Sequence, residues 1–149
     1  MTVPRSWTVD DYLSYLLARA SHLVASEFHQ EVRSAGLAIL EWRVLATLSD
    51  GSELCVGALA DMVLAQQPTV TKLLDRMSRA GLIERLASQG DRRRSLVRIT
   101  ETGAARIAPL LARSKEYERA RFAALNATEA RLLKRALRKL IRCAANPAV

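Results

Sequence analysis

The chain has only two cysteines in 149 residues, Cys55 and Cys143, which form neither a disulfide framework nor a metal-ligand spacing. A reducing cytoplasm is the simplest compartment for such a chain. Histidine is equally scarce, with His22 and His29 alone. A zinc site usually takes three or four protein ligands, so no metal is expected. No run approaches the roughly 20 apolar residues that a membrane-spanning helix needs. The N-terminus also lacks a basic segment followed by an apolar core, so no secretion signal is expected. There is no Ser–His–acid arrangement and no phosphate-binding glycine loop, which argues against an enzyme and against a bound cofactor.

Half of the residues are hydrophobic and 26% are charged, the balance of a folded chain. Aromatic residues make up only 5%, while Ala, Leu and Arg dominate, and this favours helices. The length suits one domain, or a domain with an oligomerisation arm. A formal charge of +8 points to nucleic acid or an anionic surface as partner.

The basic residues concentrate in one place. From Lys72 to Arg98 eight Lys and Arg stand against three acids. The same stretch holds, in order, an amphipathic helix, a glycine, a strand, an Arg-rich tip and a second strand. The helix is predicted from about 67 to 80, with Pro68 in its first turn, where a missing N–H is tolerated. Val70, Leu73, Leu74 and Met77 form its inward face, and Gln67, Thr69, Thr71, Lys72, Asp75 and Arg76 lie outside. Gly81 ends it. Strands are predicted over Leu82–Ala87 and Ser95–Thr100, joined by Gln89-Gly90-Asp91 turn chemistry.

Upstream, a long helix is expected over about Asp10–Ala35, capped by Thr8 with Asp10 and Asp11 in its first turn. Leu13, Leu17, Ala20, Val24 and Phe28 form its apolar stripe. Gly36 stops it. A second helix covers about Leu40–Leu48, with Trp42, Leu45 and Leu48 buried. A third covers Val56–Met62, with Leu59, Met62 and Val63 facing inward. Downstream, Thr100 is expected to cap a helix running to about Ala124, kinked at Pro109. Asn126 with Glu129 marks the start of a last helix. Its stripe is Leu132, Leu133, Ala136, Leu137, Leu140 and Ile141.

The fold class is therefore mainly α with a small β-hairpin wing. A winged helix-turn-helix spans 37–100, and N- and C-terminal dimerisation helices occupy 1–36 and 101–149. The flanking stripes are too wide for lone solvated helices, so a homodimer is expected.

On DNA each part has a role. Gln67, Thr69, Thr71 and Lys72 lie in the first turns of the recognition helix, where base edges are met. Gln pairs adenine, Thr offers a methyl and a hydroxyl, and Lys favours guanine or phosphate. Arg76 suits a phosphate. The tip, Asp91, Arg92, Arg93 and Arg94, can place a guanidinium in a minor groove. Asp91 repels phosphate, so its expected role is to pair with an arginine and hold the tip. The competing reading is an effector-independent architectural protein with little sequence preference, which would need no such Gln/Thr/Lys face.

These residues resemble the MarR (multiple antibiotic resistance regulator) family. The resemblance is carried by Leu59-Ala60, by Thr69-Val70-Thr71-Lys72-Leu73-Leu74-Asp75-Arg76-Met77 and by Gly81-Leu82-Ile83. It continues in Asp91-Arg92-Arg93 and in Ile99-Thr100-Glu101-Thr102-Gly103. It implies a homodimer on a pseudo-palindromic double-stranded operator. It further implies a repressor released by a small molecule bound between dimer arm and reading head. By the same pattern Arg93 is the minor-groove arginine and Asp91 its organiser. Members that sense peroxides carry a reactive cysteine near the start of the first helix, and this chain has none before Cys55.

The candidate effector residues are Tyr15, Arg19, His22, Trp42 and Arg43. Tyr12, Tyr15 and Trp42 can wall an aromatic pocket, although core packing also accounts for Trp42. Arg19 and Arg43 can pair an anion or simply form surface salt bridges. An aromatic carboxylate or its CoA thioester is the expected effector class. The last helix carries Arg131, Lys134, Arg135, Arg138, Lys139 and Arg142, read as a solvated face that steers DNA from a distance.

Overall fold

A computed structural model describes Val9, residues 12–87 and residues 95–145. Six helices and a three-stranded sheet follow in the order α1 (Leu13–Ser34), α2 (Ile39–Leu48), β1 (Leu54–Cys55), α3 (Val56–Val63), α4 (Gln67–Arg79), β2 (Ile83–Ala87), β3 (Ser95–Ile99), α5 (Glu101–Arg121) and α6 (Ala127–Ala145). The chain divides into two compact units, Met1–Arg113 and Ser114–Val149. Among the described residues, no helix is long and apolar enough to cross a membrane.

Helix α1 starts at Leu13, with Tyr12 as an N-cap that makes no side-chain bond. The expected cap Thr8, and with it Asp10 and Asp11, lies outside the described residues. Of the expected stripe only Phe28 is buried, whereas Leu13 and Leu17 are exposed. The stripe is apolar as read, yet its N-terminal half is left exposed.

Three helices of the first unit end in the same way. Gly36, with φ +75°, follows α1, and Leu37 N–H returns to Val32 O at 3.2 Å. Gly81, with φ +70°, follows α4, and Leu82 N–H returns to Met77 O at 3.0 Å. These are Schellman closures, in which a left-handed residue lets the chain satisfy the last carbonyls. After α3 the same position falls to Leu64, at φ 59° and 80% exposed. That conformation disfavours a side chain with a Cβ, so this end is the strained one.

The core of the first unit is built from Val32, Val44, Leu45, Leu48, Leu59, Val63, Val70, Leu74, Met77, Ile83, Val97 and Ile107, all fully or almost fully buried. No polar or charged residue is buried among the described ones. Two expectations about burial need correction. Met62 is 60% exposed, and Ala60 fills the inward position instead. In this eight-residue helix the inward row is Leu59, Ala60 and Val63, which leaves Met62 at its exposed flank. Trp42 is only half-buried, because it meets Phe28 edge-on at 5.0 Å while Val44 takes the inner position of α2.

The sheet order is β1-β3-β2, antiparallel throughout. β1 was not expected, since two residues are too few to carry a period-2 signal. Glu84 and Arg98 stand opposite each other, and Arg98 Nη2 donates to Glu84 at 2.7 Å. Its Nη1 donates to Glu53, just before β1, at 3.2 Å, so one guanidinium spans all three strands.

Thr100 caps α5 as expected, accepting Gly103 N–H at 3.0 Å and donating to Gly81 O at 2.6 Å. The helix runs through Pro109 as one element and ends at Arg121, three residues before the expected stop. Arg106 donates to the Ala35 and Gly36 carbonyls, and Arg113 grips Glu31 at 2.7 Å, so α5 is fastened to the end of α1. In the second unit Asn126 and Glu129 form the expected reciprocal cap of α6, at 2.9 and 3.0 Å. Lys134 pairs with Glu118 at 2.8 Å.

Gly103 is required for packing. A Cβ there would lie well inside van der Waals contact distance of the Leu82 backbone oxygen and press on Ile99. Glycine to alanine in a helix normally gains about 1 kcal/mol. Here the clash reverses the sign, because the obstructing atom is backbone and cannot rotate away. We predict that Gly103→Ala lowers stability by about 1–3 kcal/mol in urea denaturation. A neutral or stabilised variant would mean that α5 is free to move off the sheet.

His29 supplies a pH test. Burial, then the charges of Arg43 and Arg33, hold its imidazole below the ordinary value of 6.5. Above that value both folded and unfolded chains leave it neutral. As pH falls through it the unfolded chain takes up the proton more readily, so stability declines toward the lower folded value. We predict falling unfolding free energy between about pH 7.5 and 5.5, with a smaller fall in His29→Gln. An identical profile in the variant would remove His29 as a contributor.

Candidate nucleic-acid interface

Helix α4 is amphipathic to an unusual degree. Val70, Leu73, Leu74 and Met77 are buried as expected. Pro68 lies in the first turn, and Gln66 is the N-cap without a side-chain bond. The opposite face leaves Gln67, Thr69, Lys72, Asp75, Arg76 and Arg79 exposed. Thr71 departs from expectation, since it is half-buried and its hydroxyl donates to Gln67 O at 2.9 Å. A threonine in a helix commonly closes this bond to the preceding turn, which leaves its methyl as the outward group.

Two residues of this face are held by neighbouring elements. Asp75 accepts Arg85 of β2 at 2.6 Å, which ties the first strand of the wing to the recognition helix. Arg76 donates to Glu41 of α2 at 2.9 Å. In each pair one partner is well exposed, Asp75 in the first and Arg76 in the second, so the pairs orient side chains more than they stabilise the fold.

Beside α4 runs an open groove of about 620 Å³. Its apolar lining is Ala38, Leu40 and Leu73, and its polar lining is Thr69, Lys72, Arg76 and Arg79. The three cations are spaced by four and three residues, so they share one side of the helix over about 10 Å of its length. A row of cations of this kind is the chemistry that attracts phosphate. Arg79 and Glu41 were missed in the sequence reading. The spacing of Arg79 from Lys72 and Arg76 was a usable signal. No local pattern marks Glu41, which meets Arg76 from 35 residues away.

Asp91, Arg92, Arg93 and Arg94 lie outside the described residues. The strands that flank them are in place, with Ala87 paired to Ser95 at the end of the hairpin nearest the tip.

The candidate effector residues fall into two groups. Arg19 stacks over Tyr15 at 5.9 Å and donates to its hydroxyl at 3.2 Å, with His22 exposed further along α1. Trp42 packs on Phe28, and Arg43 donates to Val63 O at 3.3 Å, closing the end of α3. Tyr15 and Phe28 are thirteen residues apart on one helix, about 20 Å. The Tyr15–Arg19 pair therefore lies away from the Phe28–Trp42 contact. Cys55 is half-buried at the N-cap of α3, and Cys143 is exposed.

Comparison with known proteins agrees with this architecture. A profile of the MarR family matches residues 37–95. The crystal structure of a MarR family transcriptional regulator from Silicibacter pomeroyi DSS-3 is 36% identical and superposes with a TM-score of 0.79, covering 92% of this chain and 98% of that one. The HTH-type transcriptional repressor IacR of Pseudomonas putida is 28% identical over 128 residues, 86% of this chain and 77% of the relative. The homoprotocatechuate degradative operon repressor of Escherichia coli is 30% identical over 95 residues, 64% of each chain. With its winged helix-turn-helix and its exposed recognition face, the chain belongs to the MarR family of DNA-binding transcriptional regulators.

Proposed function

We propose that the protein is a homodimeric transcriptional repressor that binds a pseudo-palindromic double-stranded operator in the cytoplasm and is released by a small aromatic or anionic effector. The observation that carries this reading is the exposed row Gln67, Thr69, Lys72 and Arg76 on a helix whose other face is fully buried. Burial fixes the rotation of α4, so the polar row is presented as a rigid edge to a major groove. Gln67, Thr69, Thr71 and Lys72 read bases, with Thr71 contributing its methyl. Arg76 binds phosphate. Arg92, Arg93 and Arg94 serve the adjacent minor groove, with Asp91 holding the tip and Arg93 entering the groove. Residues 37–100 form the reading head, and 1–36 and 101–149 form the dimer arms.

The dimer is supported by what the single chain leaves uncovered. Leu13, Leu16, Leu17 and Leu23 of α1 are exposed, as are Leu132, Leu133, Leu140 and Ile141 of α6. No residue of α6 is buried in the protomer. Stripes of this size are covered in stable proteins. The effector class is supported by Tyr15, Arg19, His22, Trp42 and Arg43, which combine aromatic surface with cations. The Escherichia coli relative, named a homoprotocatechuate degradative operon repressor, points the same way.

Fluorescence anisotropy against the duplex upstream of the protein's own gene tests the reading. We expect tight, salt-dependent binding that one member of a panel of aromatic acids and CoA thioesters abolishes. Lys72→Ala should weaken that binding and alter base preference. Equal losses on this duplex and on random DNA would leave Lys72 a phosphate contact only. Binding without sequence preference would favour an architectural protein. For the dimer, Leu133→Asp with Leu140→Asp should sediment as a monomer, and a persistent dimer would remove α6 from the interface.

A further inference from the structure

One carboxylate is shared between the start of α2 and the recognition helix. Glu41 lies in the first turn of α2, and its side chain is only 17% exposed. Its Oε2 accepts the Ala38 N–H at 2.8 Å, satisfying a backbone donor where the helix begins. Its Oε1 accepts Nη2 of Arg76 at 2.9 Å. Arg76 nevertheless stays 64% exposed. A guanidinium has five N–H donors, and among the described residues Glu41 engages one of them. The others remain available over the groove that Lys72 and Arg79 flank.

We infer that Glu41 is a positioning residue for DNA binding, which grips one nitrogen of Arg76 and aims the rest of the fork at a backbone phosphate. This rests on the DNA reading above and deepens it. Charge alone argues against an acid at this place, because a carboxylate beside DNA repels phosphate. The gain lies in order. An arginine side chain has among the largest rotamer entropies, and a side chain already held in its binding geometry loses less of it on contact. Because Glu41 is itself held by Ala38 N–H, the restraint reaches from the α2 backbone to the DNA-facing edge of α4.

The test uses the full-length protein and the duplex from the titration above. Salt-dependent anisotropy is compared for wild type, Arg76→Ala, Glu41→Gln and the double variant. Glutamine has one acceptor oxygen, so it cannot reproduce two bonds that Glu41 makes through separate oxygens. We expect Arg76→Ala to weaken binding about tenfold and to reduce the salt slope by about one ion. Glu41→Gln should weaken binding several-fold even though it makes the protein more positive, and the double variant should be no weaker than Arg76→Ala. A fourth variant, Ala38→Ser with Glu41→Gln, supplies α2 with a side-chain cap. Binding that stays weak there supports positioning, whereas full recovery assigns the loss to the cap and overturns it. If Glu41→Gln binds as tightly as wild type while Arg76→Ala is weak, positioning is wrong and the Arg76 contact stands. If Arg76→Ala changes neither affinity nor slope, the phosphate contact fails, and the inference with it.

Discussion

The rotation of α4 about its own axis governs the rest of the structure. Four side chains, Val70, Leu73, Leu74 and Met77, are driven out of water on one side, each 7% exposed or less. At about 25 cal/mol per Å² of apolar surface, removing such residues from water is worth about 1.5–3 kcal/mol each. A turn of the helix by one residue would expose part of that row and bury Lys72 or Arg76. A buried unpaired charge costs far more than any surface contact returns. The polar edge is thus set by the apolar one, and a face made for solvent or DNA follows from a face made for the core.

Around that helix the protein uses backbone closures where a small α-domain has little room. The Schellman ends of α1 and α4 place Gly36 and Gly81 where only glycine is unstrained, and each closure turns the next residue, Leu37 or Leu82, back toward the core. Thr100 joins two of these features, capping α5 while its hydroxyl reaches Gly81 O. Arg98 closes the sheet and Arg85 ties it to α4. The wing strands therefore leave the reading head from a fixed base.

The apolar surface left on α1 and α6 has a different meaning from the apolar surface inside. The first unit has a closed core with no buried polar group among the described residues. On α6 the leucine row has no cover within the protomer. An exposed apolar row of several turns is the surface on which the proposed homodimer rests.

What the residues determined by themselves was local. The 3.6-residue rows set the inward faces of α4 and the stripe of α6. Glycines at 36 and 81 marked two helix ends, and Thr100 and Asn126 marked two starts, because caps and left-handed turns involve neighbours in the chain. The MarR resemblance was legible for the same reason, since its motif is a run of such local signals. Tertiary structure alone decided the rest. β1 exists only because β3 offers an edge to two residues that carry no strand pattern of their own. Met62 faces outward because a two-turn helix has room for one buried row. Glu41 met Arg76 across 35 residues. Such a pairing is set by where α2 and α4 lie in the fold, and a distance through space leaves no period along the chain.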